Sequence, residues 1–150
     1  MLELKNVKKS FKTGDFVQQA LKGINLNFGD KEFVAILGSS GSGKTTLLNI
    51  IGGLDHYDSG DLIIKGKSTK KFKEKDWDAY RNNSIGFIFQ SYNLIDYMTP
   101  AENVALTSKL PPLPILERVG LTKEESNRNV LKLSGGQQQS GQNQFLNCVC

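Results

Sequence analysis

The chain has little cysteine, little proline and no long apolar run, and each shortage removes a class of protein from consideration. Its two cysteines, Cys148 and Cys150, form a lone C-x-C at the extreme end, with no second pair and no partner histidine. A reduced terminus is expected there, not a metal site. No apolar stretch approaches the ~18 residues that span a bilayer. The opening "MLELKNVKKSF" carries charges every two or three residues and no apolar segment, so neither a signal peptide nor an anchor is expected and the chain reads as cytoplasmic. All four prolines, Pro100, Pro111, Pro112 and Pro114, fall in one short span. Proline removes helical hydrogen bonds, so "TSKLPPLP" reads as a break or connector; the weaker alternative is a polyproline II ligand for a partner. Acid is missing from the end: after Glu125 there is no Asp or Glu.

What remains is ordinary globular composition. The 150 residues are 38% hydrophobic and 23% charged, which suits one compact domain burying roughly 70% of its unfolded surface. No repeat or low-complexity tract is present. The net charge of +4 comes from lysines spread among acids over Lys5 to Lys12 and Lys65 to Lys75. That pattern reads as a solvated basic surface, with no nucleic-acid partner expected.

Residues 32 to 46, "EFVAILGSSGSGKTT", carry the strongest signal. Phe33, Val34, Ala35, Ile36 and Leu37 do not alternate with polar residues, which suits a strand covered on both faces in a parallel sheet. Leu47, Leu48, Ile50, Ile51 and Leu54 then recur at helical spacing. Between them, Gly38, Gly41 and Gly43 carry no Cβ and let the backbone approach an anion closely. Consecutive N–H groups from Gly41 through Thr45 can form a nest for a phosphate at the positive end of the helix. Lys44 can reach β and γ oxygens as a point charge, and the Thr45 hydroxyl is placed to ligate Mg²⁺. The phosphate loop thus spans Gly38, Ser39, Ser40, Gly41, Ser42, Gly43, Lys44, Thr45 and Thr46.

Two later stretches narrow the class. "SIGFIFQSYNL", residues 84 to 94, reads as an apolar strand from Ile85 to Phe89 that delivers Gln90 at its end. "LSGGQ", Leu133 to Gln137, reads as a small-residue turn able to cap a helix. With the phosphate loop, and in this order, they resemble the ATP-binding subunits of ABC transporters. "GFIFQSYNL", "TPAENVAL" and "LSGGQQQ" resemble the subgroup that energises macrolide, antimicrobial-peptide and lipoprotein export. The resemblance implies that Gln90 is the Q-loop glutamine, contacting Mg²⁺ or the attacking water. It implies that Ser134, Gly135, Gly136 and Gln137 form the signature that meets the γ-phosphate on the opposite subunit of a head-to-tail homodimer. It further implies that Phe11 stacks on adenine; Phe16 is the lesser candidate.

The resemblance also implies a fold: an α/β P-loop NTPase of RecA-like type, with a parallel sheet core, an antiparallel β extension and a shortened helical subdomain. Residues 1–95 are expected to form the nucleotide-binding core with its β extension, 96–139 a partial helical subdomain, and 140–150 an aberrant tail. "DHYDSGDLIIKGK" reads as a turn and strand of the extension, and His56 within it as a surface residue. "KEKDWDAYRNN" reads as a short polar helix with Trp77 and Tyr80 on one face. In the family an apolar strand ending in Asp-Glu, and a switch histidine, follow the signature; neither occurs here. The chain is therefore expected to be truncated, with the C-terminal half of the core missing, and to bind Mg-ATP with hydrolysis lost. Its expected partners are a membrane permease and a second ATPase subunit, either its own copy or an intact one. The alternative is a non-catalytic regulatory module docking on a permease or an intact subunit. A DNA-repair or translation ATPase is the weakest reading, since zinc-type Cys pairs and a long charged linker are both lacking.

Overall fold

A computed structural model of the chain describes residues 1–88, 94–106, 108 and 110–138. They fall into two compact units, Met1–Tyr80 and Arg81–Cys150. Gln90 and the expected tail at 140–150 lie outside the described residues.

The first unit is built on strands β1 (Leu2–Thr13), β2 (Phe16–Phe28), β3 (Ser59–Ile64) and β4 (Lys67–Ser68). They form one antiparallel sheet in the order β2-β1-β3-β4. Leu4 and Val7 of β1 are both buried although three apart, a separation that would send them to opposite faces of a regular strand. The β1/β2 register shifts between them and Asn6 adopts a left-handed φ of 49°. This bulge returns Val7 to the core face. The Asn6 N–H, displaced from the ladder, donates to Asn25 Oδ1 at 2.8 Å.

Helix α1 (Lys44–Ile51) buries Leu47 and Ile50, joining Leu21 and Leu62 among the core residues of this unit. Helix α2 (Glu74–Ser84) presents Trp77 and Tyr80 on one buried face as expected, with ring centroids 6.0 Å apart in an edge-on arrangement. The Tyr80 hydroxyl donates to the Ile51 carbonyl at 3.0 Å, and burial pushes its pKa up to about 12.

Four expectations need correction, the last of them in part. Residues 33–37 are in no ladder, and Phe33 and Leu37 stand 99% and 89% exposed. Residues 85–88 are likewise in no strand, while Phe89 lies outside the described residues. A central parallel strand takes its hydrogen bonds from neighbours on both sides, and no parallel neighbour exists among the described residues. Leu48 is exposed, and Leu54 lies beyond the end of α1 and is exposed too. Finally, the proline span departs from expectation only in its second half: residues 108, 110 and 111 are in no helix, as a connector requires. Pro112 opens helix α4 (Pro112–Arg118) at its first position, where a missing N–H costs no intrahelical bond. The string "PPLP" is thus largely helical, which removes the polyproline II reading.

The second unit contains α3 (Pro100–Ala105), α4 and α5 (Lys123–Ser126). Val104, Ile115, Leu116, Leu121 and Leu133 form its core. Buried Asn103 accepts from the Ile95 N–H at 2.8 Å and donates to the Ile95 and Thr99 carbonyls. Both α3 and α5 begin with capping boxes, Thr99 with Glu102 and Thr122 with Glu125. The backbone N–H of Thr99, then its hydroxyl, holds the Glu102 carboxyl below its ordinary range. Thr122 does the same for Glu125, aided by Arg128 and Gln137. A lowered folded pKa contributes stability above the unfolded value, which is lost as pH falls through the folded one. Acidification below the ordinary glutamate range is therefore expected to fray α3 and α5. Glu102→Gln with Glu125→Gln keeps both caps and should flatten the acid limb of a circular-dichroism titration of helix content.

Candidate nucleotide site

The site is assembled by one close approach. At Gly43, the residue capping α1, φ is 87° and a Cβ would lie 2.5 Å from the Ala20 carbonyl oxygen. Only glycine lets the helix start pack this tightly on β2. Ala20 lies two residues from Gln18, which pairs with Phe11 across the β1/β2 ladder. The contact thus brings the glycine loop beside the hairpin that carries the aromatic ring. Phe11, Gln18 and Ala20 line an open cleft of about 230 Å³ together with Gly41, Ser42, Gly43, Lys44, Thr45 and Thr46.

The cleft wall is suited to an anion. Gly41 is also left-handed, at φ 77°, and a Cβ there would meet nothing within 4 Å. Helix α1 has no side-chain cap and no acidic residue in its first turn, so its leading N–H groups and its positive dipole end are available to a ligand. The Lys44 ammonium donates to the Gly38 carbonyl at 2.8 Å, the Ser39 carbonyl at 2.7 Å and Ser42 Oγ at 3.3 Å. These bonds hold it inside the loop, and an anion in the cleft could bind it by offering oxygens in exchange for the carbonyls.

The expected residues are distributed as follows. Phe11 and residues 41–46 share the cleft, while Gly38 and Ser39 support it through Lys44. Ser40 is exposed in the turn. Phe16, at the start of β2, is 67% exposed and is not among the cleft-lining residues. Ser134 to Gln137 form a separate element of the second unit. Ser134 caps a helical turn at 135–138, accepting from the Gln137 N–H at 3.3 Å while its own N–H donates to Gln137 Oε1 at 2.9 Å. Gln137 Nε2 donates in turn to Glu125 at 2.5 Å. Gln18 and Ala20 were not foreseen. Their signal lay only in strand pairing, which places Gln18 opposite Phe11.

A glycine nest at an uncapped helix start, packed on a sheet beside an aromatic ring, defines a P-loop nucleotide-binding domain. The ABC transporter family profile matches residues 21–142, and the chain belongs to that family. It is 40% identical over 152 residues to the uncharacterized ABC transporter ATP-binding protein MJ0796 of Methanocaldococcus jannaschii, covering 93% of this chain and 65% of the relative. It is 41% identical over 148 residues to the macrolide export ATP-binding/permease protein MacB of Campylobacter fetus subsp. fetus, covering 93% of this chain and 23% of the relative. The dimeric structure of MJ0796 in a post-hydrolysis state bound to ADP and Pi superposes with a TM-score of 0.81 at 36% identity, over 97% of this chain and 69% of that one. The α/β P-loop NTPase fold is therefore shared with these cassettes. The chain spans about two thirds or less of the length of these curated relatives.

Proposed function

We propose that the chain binds Mg-ATP as the ATP-binding element of an export-type ABC transporter, without turning it over by itself. The observation that carries this is the shared cleft: Phe11 stands beside the nest of residues 41–46, with Lys44 inside the loop. In the bound state the nest N–H groups and Lys44 would hold the β- and γ-phosphates, and Phe11 would stack on the base. Mg²⁺ arrives with the phosphates and supplies charge neutralisation; Thr45 offers one hydroxyl ligand to it. Gln90 is proposed to act at the same metal or at the attacking water. Ser134, Gly135, Gly136 and Gln137 are proposed to serve the γ-phosphate held by a partner subunit in a head-to-tail dimer.

The non-hydrolytic part of this reading concerns these 150 residues alone. Phosphoryl transfer of this type needs one carboxylate at the metal and another at the attacking water. Within these 150 residues no Asp or Glu follows Glu125. Among the described residues no helix is long and apolar enough to cross a membrane. We propose that the chain sits at the inner face of the membrane through a permease, a reading supported by its likeness to MacB, an ATP-binding/permease protein. The cargo is proposed to be a peptide, drug or lipid.

The expected result is saturable Mg-ATP binding by calorimetry with phosphate release no faster than the uncatalysed background. Turnover that survives purification and vanishes in Lys44→Ala would refute the non-hydrolytic reading. Absence of binding would refute the site.

A further inference from the structure

We propose that Lys9 is a positioning residue for the base-stacking ring: its ammonium holds one face of Phe11 and leaves the other for an adenine-type base. This rests on the nucleotide reading given above. In the sequence Lys9 is one lysine of a basic run and reads as solvated surface. Its environment in the fold is different, because its side chain is only 13% exposed.

The ammonium is held at three points. It donates to Asp55 Oδ1 at 2.7 Å and to the His56 carbonyl at 2.6 Å, and it lies 5.2 Å from the centroid of the Phe11 ring. A cation over an aromatic face at this distance is attracted by the ring quadrupole. A surface lysine normally keeps its rotamer freedom; this one is fixed by a carboxylate and a carbonyl from the loop after α1.

That loop is itself clamped to β1 on both sides of Lys9. The Asp58 N–H donates to the Lys8 carbonyl at 2.8 Å, and the Ser10 N–H donates to Asp58 Oδ2 at 2.7 Å. The β1/β2 ladder shifts register between Lys9 and Ser10, just before the ring. A bulge re-aims the side chains that follow it, so the strand needs an external anchor where Phe11 leaves it. Phe11 is 42% exposed, so burial alone restrains its rotamer only in part. The ammonium supplies the remaining restraint, and pre-orienting the ring removes an ordering cost from base binding.

The test compares Mg-ATP with Mg-tripolyphosphate, which carries the phosphates and no base, on the full chain. Lys9→Met keeps the stem and removes the charge. It is expected to weaken Mg-ATP about three- to tenfold while changing tripolyphosphate less than about twofold. The emission of Trp77, the single tryptophan, reports whether the fold is intact. Asp55→Asn, which removes the carboxylate charge anchoring the ammonium and keeps the lysine, should shift the same ratio in the same direction and serves if Lys9→Met does not fold. Equal loss for both ligands, or no loss for either, overturns the proposal. Phe11→Ala separates the two levels. If it leaves the ATP-to-tripolyphosphate ratio unchanged, the stacking role of Phe11 fails and Lys9 falls with it. If it collapses that ratio while Lys9→Met and Asp55→Asn do not, only the role of Lys9 fails.

Discussion

At a hundredfold excess of Mg-ATP over its dissociation constant, the chain is expected to gain about 2.7 kcal/mol of stability by mass action. For a domain of this size that is a rise of about 5–10 °C in melting temperature. Lys44→Ala should lose most of the rise. The argument is electrostatic: the helix start and the glycine nest offer dipoles, whereas Lys44 is the only full positive charge among the described residues that line the cleft. Its present partners, the Gly38 and Ser39 carbonyls, are in an exposed loop and can turn to water when it is removed. The melting temperature without nucleotide should therefore move little. An equal thermal shift in both proteins would refute the assignment.

Gly43→Ala and Gly41→Ala should part company, although both positions are left-handed. Each substitution carries the strain of a side chain at positive φ, about 1–2 kcal/mol. At Gly43 the new methyl also lies 2.5 Å from the Ala20 carbonyl and 3.1 Å from Leu21. Backbone and core must both give, so the total should reach about 2–5 kcal/mol. At Gly41 the methyl meets nothing, and stability should fall by the strain alone. Its methyl instead stands in the open cleft where a phosphate approaches. Gly41→Ala is therefore expected to fold and to lose at least tenfold in Mg-ATP affinity, whereas Gly43→Ala should lower the urea midpoint markedly. Similar urea midpoints for the two would show that the Gly43 approach to β2 is not what holds the site together.

The phosphate loop was legible from residues alone because its chemistry is local. A glycine nest, a lysine and a helix start lie within nine positions, and no distant contact is needed to recognise them. The capping role of Ser134 and the paired faces of Trp77 and Tyr80 were legible for the same reason, since three- and four-residue spacing is set by helix geometry. The apolar run at 33–37 misled because periodicity reports which residues want burial, not whether a neighbour is there to bury them. The proline span was legible as a connector up to Pro111 and misled only from Pro112 on, because the same residue that breaks a helix interior is favoured at its first position.

Local pattern by itself marked a P-loop, the resemblance of its motifs pointed to the ABC transporter family, and the same stretch proposed the residues that would contact phosphate. Tertiary structure decided which aromatic ring joins them. The resemblance favoured Phe11 over Phe16, and the ladder pairing of Phe11 with Gln18, together with the approach of Gly43 to Ala20, puts Phe11 at the cleft. It also decided the place of Lys9, one lysine among several in a basic run, whose partners Asp55 and His56 lie more than forty residues away. The reason is general: backbone chemistry is written over a few residues, but the environment of a side chain is set by whatever the fold brings against it.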